Sequence, residues 1–452
     1  MRIQQISVSG LFGIFDHVIP LNMDERITII HGPNGFGKTV MLKMLDGFVN
    51  SRYSVFRSIP FNKFKVEFDN ASSVEIVNNS NDVDKINNIT LNFYQPKSKS
   101  LSFTPKNKLL RADINFSVRI LDDIIPGLDR IDVKRWRYLP TREILSLEDV
   151  LERFEDLLPT EITQFPKDEP KWLEKIKSDI RVRLIESQRL LNFVPSRSSR
   201  FYNETPSSWS TVSAYSDELA ELMQDKFTEY GTLSQSLDRT FPVRVVKQQP
   251  SPEITEEQLG SQLDELENTR SRLIEVGLLD KDENTDFQIK PQAIDESTKN
   301  ILSVYIEDVS RKLSVFSEIA RKIELLRRII NNKFSYSYKK MHFSKEKGFV
   351  FTTCYDTSSV SNTKTLAPTD LSSGEQHELI LLYELLFKVE PNTLVLIDEP
   401  ELSLHVGWQV EFLKDLQEIT KLANLDILMA THSPDIIQDR WDLTVELKGL
   451  QK

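Results

Sequence analysis

The sequence has 452 residues, 39% hydrophobic and 28% charged, which is ordinary for a globular chain long enough for two or three hydrophobic cores. Its net charge of −11 argues against nucleic-acid binding over the whole surface, so any such contact must be a local basic patch. A single cysteine, Cys354, excludes a disulfide framework and a zinc site built from cysteines of one chain. With no apolar run of 18 residues and no signal-peptide pattern at the start, we expect a cytoplasmic protein without a membrane span.

The first 120 residues contain a strand, a glycine-rich turn and a helix, followed by a β-rich stretch. Ile3, Ile6 and Val8 indicate a first strand, and residues 26–30 form a β-rich run that leads into His31 and Gly32. Residues 40–45 are helix-forming, which completes the order that a phosphate-binding loop requires. Further strands are predicted where apolar residues recur at every second position, in residues 64–68, 74–76, 89–93 and 114–118.

The middle of the chain, from about residue 143 to 340, has a helical character. A first helix is predicted over 255–278, with Thr255 and Gln258 as a capping box. A second is predicted over 295–333, where apolar residues recur at spacings of three and four, and it would be about 58 Å long. With the polar loop 279–294 between them, the two predict a short antiparallel hairpin resembling a coiled coil. Phe334, Tyr336 and Tyr338 alternate as in a strand and are expected to face the core.

The last hundred residues return to an alternation of strands and helices. Strands are predicted at 349–353, 393–397 and 425–430, and helices at 374–388 and 407–423. The simplest fold class is an α/β nucleotide-binding domain with a mixed β-sheet core, split by a helical insertion. We therefore predict an N-terminal part of this domain at 1–142, the insertion at 143–340, and a C-terminal part at 341–452.

The glycine-rich turn matches the phosphate-loop pattern G-x-x-x-x-G-K-[ST] without deviation. It reads Gly32-Pro33-Asn34-Gly35-Phe36-Gly37-Lys38-Thr39. The glycines let backbone N–H groups surround phosphate oxygens, Lys38 places a cation on the outer phosphates, and the Thr39 hydroxyl can bind Mg²⁺. A chance match at a strand-to-helix turn is improbable, so we predict that the chain binds ATP with Mg²⁺.

Two acidic residues follow the predicted strand 393–397. Asp398 is placed to hold magnesium, and Glu399 to orient or deprotonate an attacking water. The alternative is that these residues have no catalytic role, because two adjacent acidic residues after a strand are also common in ordinary loops.

Two further segments accompany this pair. Ser372, Ser373, Gly374 and Glu375 open a predicted helix whose free N–H groups can bind an anion, although a simple helix cap is the alternative. His432, after the last predicted strand, can hydrogen-bond a terminal phosphate, and its alternative is a structural histidine.

In this order along the chain, the four segments resemble the motifs of ABC-type ATPases. The branch that includes SMC, RecF and OLD proteins typically has the sequence seen here at Asp398-Glu399-Pro400-Glu401-Leu402-Ser403-Leu404-His405. The resemblance covers residues 1–50 and 343–440 strongly and the middle weakly. It implies an ATPase head that dimerises, with Ser373 and Gly374 of one copy closing on the γ-phosphate held by the other. Ser403 and His405 would lie at the dimer seam. It also implies a glutamine ligand to magnesium, for which Gln95 is the best candidate.

The chain departs from that branch in ways that bear on function. OLD nucleases continue into a Toprim domain, whereas this sequence stops about twenty residues after His432, and its six histidines lack the spacing of an HNH nuclease. We therefore expect an ATPase without a nuclease site of its own. It resembles the ATPase subunits of bacterial anti-phage systems, PtuA of Septu and AriA of PARIS, and residues 135–142 look like the Leu-Pro-Thr stretch of that group.

These observations lead to one functional hypothesis and two rivals. The hypothesis is an ATPase subunit of a dimer or higher oligomer that senses a trigger and gates a separately encoded effector, such as an HNH or Toprim nuclease, in anti-phage defence. One rival is a stand-alone DNA-repair ATPase that grips nucleic acid through a cluster of basic residues at 321–347, which can equally be a solvated helix face paired with acids. The other is a scaffold that binds ATP and hardly hydrolyses it.

Overall fold

A computed structural model describes most of the chain. The described residues are 1–79, 89–96, 98–105, 121, 125, 127–132, 135–139, 142–154, 169–185, 211–247, 255–281, 295–353 and 365–449. The chain forms two compact units, one of Met1–Thr211 with Ser373–Lys452 and one of Val212–Ser372. The bounds of these units lie at residues other than the domain limits proposed at 142/143 and 340/341, which remain a prediction.

The strands and helices follow one another in mixed order along the described residues. The strands are β1 (Ile3–Leu11), β2 (Phe15–Pro20), β3 (Ile27–His31), β4 (Lys63–Phe68), β5 (Ser73–Asn78), β6 (Ile89–Tyr94), β7 (Leu101–Phe103), β8 (Leu128–Arg130), β9 (Arg135–Tyr138), β10 (Glu143–Ser146), β11 (Arg181–Ile185), β12 (Lys339–Ser344), β13 (Gly348–Thr353), β14 (Thr365–Leu366), β15 (Thr393–Asp398), β16 (Asp426–Ala430) and β17 (Thr444–Glu446). The helices are α1 (Lys38–Val49), α2 (Ser54–Ser58), α3 (Leu147–Arg153), α4 (Lys171–Asp179), α5 (Thr211–Lys247), α6 (Glu256–Glu275), α7 (Glu296–Ser314), α8 (Ser317–Phe334), α9 (Ser373–Tyr383), α10 (Val406–Ala423) and α11 (Pro434–Ile437).

A parallel five-stranded sheet forms the centre of the first unit, in the order β11-β15-β16-β3-β17. Its inner strands read as near-continuous apolar runs, and the first four residues of β3 are all buried. Such runs are typical of a parallel sheet covered on both faces. Because β3, β15 and β16 are parallel neighbours, their carboxyl ends lie at one edge, where the predicted site residues follow them.

An antiparallel six-stranded sheet, in the order β2-β1-β4-β5-β6-β7, lies in the same unit as the parallel sheet and α1. Along β4 to β6 every second side chain is buried, as the period-two pattern predicted. The buried face of α1, with Leu42, Leu45 and Phe48, joins the apolar faces of both sheets in one core. The strand predicted at 114–118 lies outside the described residues.

A small antiparallel sheet, β8-β9-β10, and helix α3 form a separate core around the fully buried Trp136. Ion pairs link this part of the first unit to the helices next to the phosphate loop. Lys43 of α1 pairs with Glu143, which also accepts a 2.6 Å bond from Arg153, and Arg57 of α2 pairs with Glu148.

The second unit contains α6 to α8, most of α5, and the antiparallel sheet β12-β13-β14. The predicted capping box is present, with Thr255 and Gln258 each accepting from the other's backbone N–H. Helices α6 and α7 pack around Leu259, Leu302 and Ile306, as expected for a hairpin.

The single long helix predicted over 295–333 is wrong, because α7 ends at Ser314 and α8 begins at Ser317. The N–H of Phe316 bonds to Leu313, three residues back, and its ψ of −8° departs from the helical value. The fully buried Phe316 ring packs 5.2 Å from that of Tyr230 on α5, which explains why the apolar spacing continued across the break.

The expectation that Phe334, Tyr336 and Tyr338 face the core along a strand is also wrong for the two tyrosines. Phe334 is the buried last residue of α8, whereas Tyr336 is 77% and Tyr338 60% exposed. The helix continues to residue 334 and is followed by a 3₁₀ turn, Ser335–Ser337, so the period-two spacing was accidental.

Four of the nine basic residues at 321–347 are paired with acidic neighbours or buried. Arg327 pairs with Glu275 at 2.9 Å, and Lys345 pairs with Asp280 at the same distance. Lys322 pairs with Glu318 at 3.0 Å, and Lys333 is buried. These contacts favour the reading of a solvated face paired with acids. No described helix is both long enough and apolar enough to cross a membrane.

Candidate nucleotide-binding site

The predicted phosphate loop leaves the carboxyl end of β3 and enters α1 at Lys38. Gly37 has a φ of 89°, a conformation that favours glycine, and a Cβ there would lie 2.5 Å from Cδ2 of Leu11, so that a larger residue would have to displace this side chain. The first turn of α1 holds no acidic residue and no side-chain cap, so its N–H groups are available to an anion.

The ammonium group of Lys38 lies inside this loop. Its Nζ donates to the carbonyl oxygens of Gly32 at 2.8 Å and Pro33 at 3.1 Å, and lies 3.4 Å from Nδ1 of His432. Lys38 is 5% exposed, and burial lowers its pKa, an effect opposed by nearby carboxylates at Glu399, Asp398 and Glu401. The site therefore presents one buried cation surrounded by carboxylates.

The hydroxyl of Thr39 donates to Oδ1 of Asp398 at 2.9 Å. A hydroxyl and a carboxylate oxygen are ligands that Mg²⁺ accepts, and Mg²⁺ is commonly held by one or two protein groups together with waters and substrate phosphates. Within the described ranges, no three His, Cys, Asp or Glu residues form a metal cage. The pair fits a magnesium ion that is completed by nucleotide phosphates.

His432 lies between Lys38 and Glu399. Because an ammonium group can only donate, Nδ1 of His432 must accept from Lys38, which leaves Nε2 carrying the proton in the neutral ring. That Nε2 is 3.6 Å from Oε1 of Glu399, longer than a hydrogen bond but close enough for a shared ligand. Nε2 of His432 can therefore donate a hydrogen bond, and the Glu399 carboxylate can accept one. A donor and an acceptor side by side suit proton transfer at the terminal phosphate of a nucleotide.

The backbone of Glu399 is in the left-handed region, with φ 44° and ψ 59°. Its N–H bonds at 2.9 Å to the carbonyl of Ala430, at the end of the neighbouring strand β16. Such conformations are sparsely populated by residues other than glycine and cluster at functional sites. The β15–β16 pairing, which places Asp398 opposite Ala430, holds Glu399 in this conformation.

Sequence reasoning missed a histidine that supports the loop. His17 on β2 is buried, and its Nε2 is 2.9 Å from the carbonyl oxygen of Phe36, which can only accept, so His17 donates. Burial lowers the pKa of His17, opposed by the bond to Phe36 and the charge of Asp16. The signal in the sequence was a histidine at an inward position of a strand between apolar neighbours.

Sequence reasoning also missed the contacts that hold His432 in place. The N–H of His432 donates to Oε1 of Glu401 at 2.6 Å, and the hydroxyl of the next residue, Ser433, donates to Oε1 of Gln409 at 2.6 Å. These partners lie in the 3₁₀ turn Pro400–Ser403 and in α10. No local pattern marks such contacts, since they join segments more than twenty residues apart.

The remaining predicted residues make none of the contacts described above for Lys38, Thr39 and His432. Ser373 is the first residue of α9, where a helix start was predicted, and none of residues 372–375 is a hydrogen-bond partner of Lys38 or His432. Gln95 is exposed in the turn after β6, with its carbonyl accepting from Ser98. His405 caps α10 by accepting from the N–H of Gly407.

Comparison with solved structures returns heads of SMC proteins. The SMC head with an extended coiled coil from Pyrococcus furiosus is 11% identical with a TM-score of 0.30, and the alignment covers 99% of this chain and 94% of that one. The SMC head domain from Thermotoga maritima is 10% identical with a TM-score of 0.32, covering 97% and 92%. No curated protein matches the sequence.

The sequence also matches the model of a protein family over most of its length. The model of the AAA ATPase domain (AAA_15) matches residues 1–437, which include the phosphate loop, Asp398 and Glu399 at the end of β15, and His432. The mixed α/β fold with a helical unit between its two parts agrees with this match. The chain belongs to the AAA ATPase domain family.

Proposed function

We propose that this protein binds ATP with Mg²⁺ at residues 32–39 and hydrolyses it, and that its nucleotide state gates a separate effector. The observation that carries the hydrolytic part is the arrangement of Lys38, His432 and Glu399. The Lys38 ammonium, the His432 imidazole and the Glu399 carboxylate are successive neighbours, and they lie beside the Thr39–Asp398 pair.

Each side chain has a chemical role in this proposal. The N–H groups of the loop and Lys38 bind the phosphates, and Thr39 and Asp398 hold magnesium, which neutralises phosphate charge. Glu399 accepts a proton from the water that attacks the γ-phosphorus as the bond to the β,γ-bridging oxygen breaks. His432 donates from Nε2 to a γ-phosphate oxygen.

A second copy would complete the site. The proposed contribution of that copy is the start of α9, with Ser372, Ser373, Gly374 and Glu375, whose N–H groups would face the γ-phosphate. Support comes from exposed apolar side chains beside the site, Leu402 at 68%, Val406 at 63% and Val410 at 49%. Apolar side chains exposed together often mark protein–protein contacts. Ser403 and His405 belong to the same stretch, whereas Gln95 is proposed as a magnesium ligand on the resemblance alone.

The effector and the biological setting rest on the resemblance to PtuA and AriA. We propose a cytoplasmic ATPase subunit in anti-phage defence whose effector, an HNH or Toprim nuclease, is encoded separately. ATP would favour the paired heads by its contacts in the closed form, and hydrolysis would release them. Copurification of the tagged protein from its native operon tests this: recovery of a nuclease supports the proposal, and recovery of the ATPase alone contradicts it.

Phosphate release tests the enzymatic part. The wild-type protein should hydrolyse ATP, Glu399→Gln should reduce turnover by roughly 10²- to 10⁴-fold while still binding ATP, and Lys38→Ala should lose ATP binding. The matched control Lys448→Ala changes a lysine whose side chain is 70% exposed, and should behave as wild type. Equal, near-zero rates for wild type and Glu399→Gln would instead favour the scaffold.

The DNA-repair alternative has one observation in its favour, the exposed Tyr336 and Tyr338 next to Lys340. Aromatic and basic side chains together can bind single strands. Salt-sensitive, ATP-dependent binding of DNA by the isolated protein would support it.

A further inference from the structure

Gln409, in the first turn of α10, contacts both segments that carry the proposed catalytic side chains. We infer that Gln409 is a positioning residue for ATP hydrolysis, fixing the loop of His432 relative to the turn that follows Glu399. This inference rests on the proposed hydrolytic function, and it adds a residue to which neither the sequence patterns nor the resemblance assigns a role.

The Gln409 amide makes contacts through both its nitrogen and its oxygen. Its Nε2 donates to the carbonyl oxygen of Leu404 at 3.3 Å and lies 3.5 Å from the carbonyl oxygen of Glu401. Its Oε1 accepts from the buried Ser433 hydroxyl at 2.6 Å. Carbonyl oxygens can only accept, so the NH₂ group must face them and the amide oxygen must face Ser433. The orientation of the amide is therefore fixed by its partners.

Ser433 directly follows His432, so the bond acts one residue from the imidazole. The N–H of His432 is held on its other side by Glu401, at 2.6 Å. The His432 loop is thus attached at two successive residues to the segment 401–409. Glu399 lies two residues before that segment, and its carbonyl accepts from the N–H of Leu402 within it. Through these bonds, the separation of the imidazole from the Glu399 carboxylate depends on Gln409.

The backbone of Gln409 is held in place by the packing of helix α10. The residues on either side of it along the buried face, Trp408, Phe412 and Leu413, are 7%, 1% and 4% exposed. Helices buried in this way move little, because interiors are close-packed. Rotation of the glutamine side chain would release Ser433 without disturbing the helix, so removal of the amide should change the loop and leave the core intact.

The test replaces the amide with a side chain of similar length and no hydrogen-bonding amide, Gln409→Met. Turnover of phosphate release is measured beside the affinity for a fluorescent ATP analogue and the melting temperature. We expect turnover to fall by roughly 10- to 100-fold, since displacement of a catalytic group by about 1 Å has effects of that order. Affinity should stay within about threefold, because the loop at 32–39 is unchanged.

The matched control is Gln417→Met, the same change two turns further along α10. Gln417 is half-buried and its side chain bonds to no residue that the structure describes. This control should keep wild-type turnover, affinity and melting temperature.

Ser433→Ala removes the other partner of the same bond. We expect it to lower turnover as well, and the double variant Gln409→Met/Ser433→Ala to be no slower than the slower single variant, because both changes break one connection. Two outcomes would overturn the inference while the wild type remains active. One is turnover of Gln409→Met within twofold of wild type, and the other is a parallel loss of turnover, affinity and melting temperature. Wild-type protein that releases no phosphate would overturn the proposed hydrolysis, and this inference with it.

Discussion

The imidazole of His17 donates a 2.9 Å hydrogen bond to the carbonyl oxygen of Phe36, inside the phosphate loop. The ring of Phe15 stacks on His17 and lies 5.0 Å from that of Phe36, so a polar and an aromatic contact act on the same loop residue. The carbonyl of Phe36 is thereby turned towards β2. His17 therefore fixes the position of one peptide unit of the phosphate loop.

Replacing His17 by leucine should weaken both the fold and the site. The variant leaves the Phe36 carbonyl without its donor, at a cost of about 1–3 kcal/mol in unfolding free energy. We expect ATP affinity to fall by roughly 3- to 10-fold because the loop is less ordered before binding. Denaturant unfolding and titration with a fluorescent ATP analogue measure the two effects. His342→Leu, an exposed histidine in the second unit, is the control and should leave ATP affinity unchanged.

His17 should also make stability depend on pH. Burial lowers the pKa of His17 in the folded chain below its ordinary value of 6.5, so the unfolded chain binds the proton more tightly. The contribution of His17 is complete above pH 6.5 and is lost as the pH falls from 6.5 towards the lower folded-state pKa. Unfolding free energies of wild type and His17→Leu between pH 7.5 and 5.5 test this. The difference between them should shrink as the pH falls, and a constant difference would contradict the assignment.

The parts of the candidate site that could be predicted from the sequence are those formed by short motifs of consecutive residues. The loop at 32–39 follows the apolar strand β3, and Asp398 and Glu399 stand at the end of the apolar strand β15. A parallel sheet brings the ends of its strands together. Lys38, Thr39, Asp398, Glu399 and His432 indeed meet at one edge. The strands of the antiparallel sheet followed from period-two spacing for the same reason, because that spacing reflects the burial of one face.

Contacts between distant segments were not predictable from the sequence. The Gln409–Ser433 bond joins residues 24 positions apart and the His17–Phe36 bond residues 19 positions apart, and neither side chain carries a signature of its own. The break in the helix predicted over 295–333 was hidden because Phe316 is apolar at the expected spacing but turns towards Tyr230 of another helix. In each case, tertiary packing selects one of several local structures that the sequence permits.

Thr39 can be tested through its dependence on magnesium. Thr39→Val keeps the shape of the side chain but removes the hydroxyl that bonds to Asp398. We expect the magnesium concentration for half-maximal ATP turnover to rise by about tenfold or more, since a ligand to the ion is lost. Thr39→Ser retains the hydroxyl and should stay within about threefold of wild type. If the two variants require the same magnesium concentration, the hydroxyl does not bind the ion.

The exposed apolar residues beside the site give a test of head pairing. Val406 and Val410 lie one turn apart on the same face of α10, and Leu402 precedes them in the 3₁₀ turn. In a Glu399→Gln background, which should slow hydrolysis, ATP and Mg²⁺ should produce dimers measurable by light scattering. Val406→Asp should weaken dimer formation by roughly tenfold or more, because pairing would bury an uncompensated carboxylate. The control Val246→Asp places the same charge on a residue of α5 that is 85% exposed in the second unit, and should dimerise normally. Dimers of equal stability in both variants would show that the Val406 face is not the pairing surface.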